Sequence, residues 1–259
     1  MSDPITDVTE DLFLGGQLLL RQPKRGHRAG HDAMLLAAAT PARPGDRVVD
    51  FGAGVGAAGL AVARRVAAID LILVEIDGGV ASLAGQNATL NRIEARVAVL
   101  DLASGADAFA AAGLGPDSAD VVLMNPPFND ALRHRASPDA GRQAAHMASA
   151  QALETWSHAA RRVLKSGGVL TLIWRADGLA EILAALVRGF GSVEMLPVHP
   201  GPGAAAIRVL VSAIKGGRAP MIVHPGLVLN EASGRAGAEA QAILNGEAVL
   251  PLTKVSRRN

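Results

Sequence analysis

From residue 46 onward, short apolar runs alternate with longer stretches whose apolar positions recur every three or four residues. That is the pattern of strands buried on both faces with helices laid across them. Strands are predicted at 47–51 (RVVDF), 70–75 (DLILVE), 96–101 (RVAVLD), 119–125 (ADVVLMN) and 168–174 (GVLTLIW), and helices near 57–66, 79–91, 150–165 and 177–188. Such alternation marks an α/β fold with a mostly parallel sheet. Two further strands, in SVEMLPVHP and AAIRVLVSAI, are separated by a Pro- and Gly-rich turn at 200–203. The turn is too short for a helical crossover, so this last pair is expected to be antiparallel, completing a seven-stranded sheet.

The flanks read differently. LFLGGQLLLRQ (12–22) places two β-compatible runs around Gly15-Gly16, a hairpin signal. A basic stretch from Lys24 to Gly30 follows, and Asp32 then stands where it can cap an Ala- and Leu-rich helix that Pro41 and Pro44 end. Beyond 216 a β-like MIVHPGLVLN and a helix-like AEAQAILNG appear with no linker to set them apart. The expected organisation is an N-terminal hairpin and helix at 1–45, a core at 46–215 and a short C-terminal extension at 216–259.

Composition narrows the function classes. The chain has 259 residues, no cysteine and no tyrosine, which removes disulfides, thiolate metal sites and a cysteine nucleophile together. The histidines show no metal-ligand spacing, so no metal is assigned. The first residues are acidic where a signal peptide would be basic, and no apolar run approaches the roughly 18 residues of a membrane span, so a soluble cytoplasmic protein is expected. A net charge of +1 excludes a general nucleic-acid coat but leaves room for local basic surfaces.

The strongest local signal is Asp50-Phe51-Gly52-Ala53-Gly54-Val55-Gly56, which follows a strand and opens a helix. Glycines there let the backbone turn tightly and approach a ligand, with free helix N–H groups facing it. Gly54, Gly56 and Gly59 also satisfy the nicotinamide-cofactor spacing, so the loop by itself leaves two cofactors open. In both, Glu75 at the end of the second strand can accept hydrogen bonds from vicinal ribose hydroxyls; a solvated strand-end acid is the competing reading. Asp50 tilts the balance, because D-x-G-x-G-x-G resembles the first motif of class I S-adenosylmethionine enzymes, where a carboxylate meets the cofactor's amino group. Otherwise it would cap the loop's own N–H groups.

Asn125-Pro126-Pro127-Phe128 directly follows ADVVLM, at the carboxyl edge of a strand beside the first, where open α/β sheets bind ligands. Two prolines remove two donors and stiffen the chain, so the Asn side chain and the carbonyls are presented as acceptors. Acceptors of that kind match a planar amine, a poor nucleophile until its hydrogens are held, and Phe128 would stack on its π-face. A nicotinamide enzyme has no use for this element.

With these residues in place, the chain resembles the N-methyltransferases that carry an N/D-P-P-Y/F motif, most closely the bacterial tRNA1(Val) adenine-37 N6-methyltransferases. The likeness runs through Gly30-His31-Asp32-Ala33, DFGAGVG, LVEID, VLD, MNPPF and ARRVLKSGGVLTLI. It implies a Rossmann-like class I methyltransferase core with an N-terminal lid, S-adenosyl-L-methionine as cofactor and tRNA as partner. By the same resemblance, cofactor contacts fall on Asp32, Asp50, Gly52, Ala53, Gly54, Gly56, Glu75, Ile76, Asp101, Leu102 and Asn125, with Asp101 and Leu102 at the adenine. For Asp101 a helix-cap role competes. Phe128 in place of Tyr is shared with rRNA guanine-N2 methyltransferases, and the motif is shared with enzymes that methylate a glutamine of release factors, so these acceptors stay open, as does a non-catalytic binding module. Candidate RNA contacts are Lys24, Arg25 and Arg28 beside the lid and Arg133, Arg135 and Arg142 after the tetrapeptide.

Overall fold

The computed structural model describes residues 5, 7–26, 28–127 and 140–254, and for 140–149 the helical backbone alone. The core strands are β3 (Arg47–Phe51), β4 (Asp70–Glu75), β5 (Ala95–Val99), β6 (Ala119–Met124), β7 (Leu164–Arg175), β8 (Phe190–His199) and β9 (Arg208–Lys215). They lie in the order β5-β4-β3-β6-β7-β9-β8. The first five are parallel; β9 runs antiparallel to both β7 and β8, between which it is inserted. The short connection at 200–203 thus produces the expected antiparallel pair, while β8 runs parallel to β7.

Side chains alternate across this sheet into two buried layers. Val48, Leu71, Leu73, Val121 and Leu123 pack with α1 (His31–Ala39), α2 (Ala57–Arg65) and part of α3 (Gly78–Leu90). Val49, Phe51, Ile72, Val74, Val122 and Met124 pack on the other face, with α4 (Ala106–Ala111), α5 (Ala140–Val163) and α6 (Leu179–Leu186). Near-continuous apolar strands are what two covered faces require. Helix α4 has no counterpart among the predicted elements: it is a two-turn segment in an Ala- and Gly-rich stretch, too short to show a period. The predicted helix at 150–165 begins at 140 instead, and β7 starts before Gly168.

The hairpin forms from β1 (Val8–Phe13) and β2 (Leu18–Pro23), turning through Leu14–Gly16 with Gly15 and Gly16 at φ 60° and 92°. Its free edge is held by two buried asparagines, Asn87 of α3 and Asn91 at the helix's C-cap. Asn91 accepts from the Leu19 N–H and donates to the Leu19 carbonyl, at 2.9 and 2.7 Å. Asn87 does the same for Arg21, at 2.8 and 3.0 Å, and also donates to the Val55 carbonyl of the glycine loop at 3.0 Å. Residues four apart on one helix face thus reproduce the ladder of a neighbouring strand.

The expected capping of α1 by Asp32 is not what forms. Gly30 occupies the cap position without a side-chain bond, and Asp32 sits in the first turn, because its carboxylate is engaged by Arg208 across the cleft wall. The tail adds two strands to the predicted seven: β10 (Ile222–Val223) and β11 (Leu227–Val228) both run parallel to β8 and cover its outer edge. Helix α7 (Ala238–Leu244) then returns to α1. Leu227, Ile243, Leu250 and Leu252 are buried in the same cluster as α1, and the Leu250 N–H donates to the Ala38 carbonyl at 2.9 Å.

Candidate active site

The carboxyl ends of β3, β4 and β6 open into one cleft of about 1090 Å³, ample for a nucleotide-sized cofactor together with part of an acceptor. Its floor is the glycine loop. Gly52, Gly54 and Gly56 all have positive φ (65°, 57° and 89°). At Gly52 a Cβ would stand 2.2 Å from the Trp156 ring, whereas at Gly54 nothing lies within 4 Å. The loop is therefore packed from below at Gly52 and open toward the cleft at Gly54, as a backbone meant to meet a ligand requires.

Asp50 shares the α2-facing side of β3 with Val48 and is buried beneath the helix. Its Oδ2 accepts from the Gly59 N–H at 2.8 Å, and only glycine at 59 lets α2 come so close, a Cβ there falling 2.6 Å from Leu73. Burial pushes the Asp50 carboxyl up to about 7; the Gly59 hydrogen bond opposes this and the charge of Glu75 adds to it.

Glu75, at the end of β4, is half-buried rather than simply solvated. Its Oε1 accepts from Ile76 and Asp77 N–H (2.8 and 3.1 Å) and its Oε2 from the Gly54 N–H (2.9 Å). Asp77 caps α3 through Gly79 and Val80. Asp101 accepts from the Ala103 N–H at 2.8 Å, closing a turn; the cap of α4 is Gly105, so the helix-cap reading of Asp101 does not hold. Asp101, Leu102 and Ile76 all line the cleft.

On the other side of the loop, Asn125, Pro126 and Pro127 line the cleft directly after β6. Asn125 Oδ1 is buried with no hydrogen-bond partner among the described residues. An unpaired buried acceptor costs about 1–3 kcal/mol, and its position at the mouth of a cofactor-sized cleft suits a ligand donor. Phe128, Arg133 and Arg135 lie outside the described residues. Arg142 lies on α5, where the backbone alone is described.

The basic residues of the hairpin and the segment after it divide in two. Lys24 pairs with Asp7 and Arg21 with Glu10. Arg28 reaches Asp11 at 2.7 Å, while Gln22 bonds Asp11 and takes the Ala29 N–H, fixing the segment that leads into α1. Among the described residues these cations hold the hairpin together, whereas Arg25 is exposed and lines the cleft. Three contributors were not singled out from sequence. Trp156 covers Gly52; as one of two tryptophans it carried a compositional signal. Arg208 and Asn87 carried none, since each acquires its role from a partner far along the chain.

The family model for the methyltransferase small domain matches residues 31–199. A tRNA1(Val) (adenine(37)-N6)-methyltransferase of Bacteroides fragilis is 28% identical over 211 residues, 79% of this chain and 84% of that protein. A ribosomal RNA small subunit methyltransferase C of Pseudomonas syringae is 31% identical over 130 residues, 50% of this chain and 32% of that one. Among solved structures, a predicted O-methyltransferase of Agrobacterium tumefaciens superposes with TM-score 0.71 at 33% identity, covering 85% of this chain and 98% of that one. A 16S rRNA N2 G1207 methyltransferase of Thermus thermophilus, solved with AdoMet and guanosine, shares the fold at TM-score 0.55 and 19% identity, over 80% and 50% of the two chains. Because the family match runs from the first turn of α1 to the end of β8, and so contains the glycine loop, Glu75, Asp101 and Asn125-Pro126-Pro127, the chain belongs to the methyltransferase small domain family, whose enzymes use S-adenosylmethionine.

Proposed function

We propose that the protein methylates the exocyclic amine of a nucleobase in RNA, adenine N6 of a tRNA first among the acceptors. The observation that carries this reading is the buried Asn125 Oδ1 at the cleft wall, unpartnered among the described residues. Held there, a planar amine has its hydrogens on fixed acceptors, which makes it more tetrahedral without a strong base. Bound S-adenosylmethionine supplies a methyl group already activated on a sulfonium.

The chain's own residues divide the remaining work. Glu75 Oε2, with one backbone donor, retains acceptor capacity for a ribose hydroxyl. Asp101 and Leu102 border the adenine end and Ile76 covers it, while Asp50 faces the amino end and Gly52, Ala53, Gly54 and Gly56 line the path between. Phe128 stacks on the acceptor base, and Arg25, Arg133, Arg135 and Arg142 supply phosphate contacts. Lys24 and Arg28, already ion-paired, act through the lid. RNA substrates of this kind place the enzyme in the cytoplasm.

The test is methyl transfer from labelled cofactor to tRNA, ribosomal RNA and release factor in parallel, followed by nucleoside mass analysis. N6-methyladenosine in tRNA is expected. Label on guanine N2, the acceptor favoured by the rRNA methyltransferase relative, or on protein or a hydroxyl, would replace the acceptor and leave the cofactor site intact. Asn125→Ala should abolish transfer while cofactor affinity stays within about twofold; a binding module would have no transfer to lose.

A further inference from the structure

Arg208 lines the same cleft as Asn125, yet it lies on the side away from the residues that suit a nucleoside. From Asn125 at the end of β6, Glu75 lies two strands away across β3 and β4, with Asp101 one strand further. Arg208 lies two strands away in the opposite direction, across β7 and β9. At the usual strand spacing each displacement is about 10 Å. A cofactor laid along the glycine loop from Asp101 would reach Asn125, which would leave the corner at Arg208 to whatever presents the amine.

The corner holds an oriented guanidinium. Arg208 Nε donates to Asp32 Oδ2 at 2.9 Å and Nη1 to the Ile207 carbonyl at 3.1 Å, so the guanidinium is oriented from behind by two acceptors. Arg175 stands directly opposite Arg208 in the antiparallel register, a like-charge pairing that costs stability in a sheet. Asp32, Asp177 and Glu181 offset that charge. Arg208 alone of the two lines the cleft, and its planar fork, held at the acceptor end, matches a phosphate.

We propose that Arg208, seated by Asp32, forms a phosphate subsite for the acceptor strand, holding the backbone phosphate next to the base presented to Asn125. This rests on the RNA reading above. It also gives Asp32 a role distinct from a cofactor contact: it positions Arg208.

Arg208→Gln, Arg208→Lys and Asp32→Asn test it by RNA methylation kinetics, RNA binding against salt, and cofactor titration. Arg208→Gln should raise the KM for RNA about 10- to 100-fold and lower the salt slope of RNA binding by about one, with cofactor affinity unchanged. Asp32→Asn should move the same quantities less, and Arg208→Lys should recover the salt slope but only part of the KM. Loss of cofactor affinity with RNA kinetics intact would overturn the subsite and assign Arg208 to the cofactor's carboxylate. Unchanged RNA kinetics would overturn it outright. If Arg208→Gln fails to fold by circular dichroism, Arg208→Lys decides, an unaltered KM for RNA overturning the proposal. Failure of the unsubstituted protein to methylate any RNA would remove the RNA reading and the subsite together, which separates that failure from the subsite's own.

Discussion

With the cofactor's amino group against Asp50, as proposed above, cofactor binding should couple to pH. With its carboxyl pushed up to about 7 by burial, the ligand-free protein holds a proton there below neutrality. A cationic amino group favours the ionised form, so binding expels that proton, and the Kd for S-adenosylmethionine should rise about tenfold per pH unit below pH 7. Calorimetry in buffers of different ionisation heat would read the proton, and Asp50→Asn should flatten the profile. The stability term has the opposite sense: the folded state binds this proton more tightly, so the group's contribution is full below the unfolded value near 3.8 and falls as pH rises to about 7. Gly52→Ala should cost about 2–4 kcal/mol, from a left-handed φ and the Trp156 ring in the Cβ position, measured by denaturant unfolding. The glycines and Glu75 were legible in sequence because strand, turn and helix are adjacent along the chain. The protonation of Asp50 was not, because it depends on α2 closing over it.

At the scale of elements, the decisive join is between hairpin and glycine loop. Asn87 holds Arg21 of β2 and Val55 of the glycine loop at once, so movement of the hairpin is tied to the cofactor floor. Asn87→Leu would leave three backbone groups unpaired and should cost about 2–4 kcal/mol in denaturant unfolding. It should also raise the KM for S-adenosylmethionine more than Asn91→Leu does, since Asn91 touches the hairpin and not the loop. The hairpin itself could be read from Gly15-Gly16. What holds its edge could not, because polar residues on a helix ordinarily read as solvated, and these two are buried only by the arrival of a segment some seventy residues upstream.

For the whole molecule, the C-terminal extension acts as a brace. It covers the outer edge of β8 with β10 and β11 and buries Leu227, Ile243, Leu250 and Leu252 against the cluster that contains α1. Removal of residues 216–259 should expose that cluster. The expected result is a protein that aggregates or loses its cooperative thermal transition, and cofactor titration of any soluble fraction should show weakened binding because α1 is no longer supported from behind. A truncated chain with unchanged melting and affinity would show the brace to be dispensable.

The sequence by itself determined the α/β core, the antiparallel final pair, and the placing of the glycine loop and Asn125-Pro126-Pro127 at the carboxyl edge of the sheet. Each is written in neighbouring residues: apolar period, turn length, and glycine or proline at a position where backbone geometry admits little else. Tertiary structure decided what depends on distant partners. It brought Arg208 onto Asp32 across 176 positions of chain, buried Asp50 so that its carboxyl is pushed up to about 7, and left Asn125 Oδ1 without a partner among the described residues. Desolvation and long-range pairing are properties of the packed molecule; no local pattern contains them.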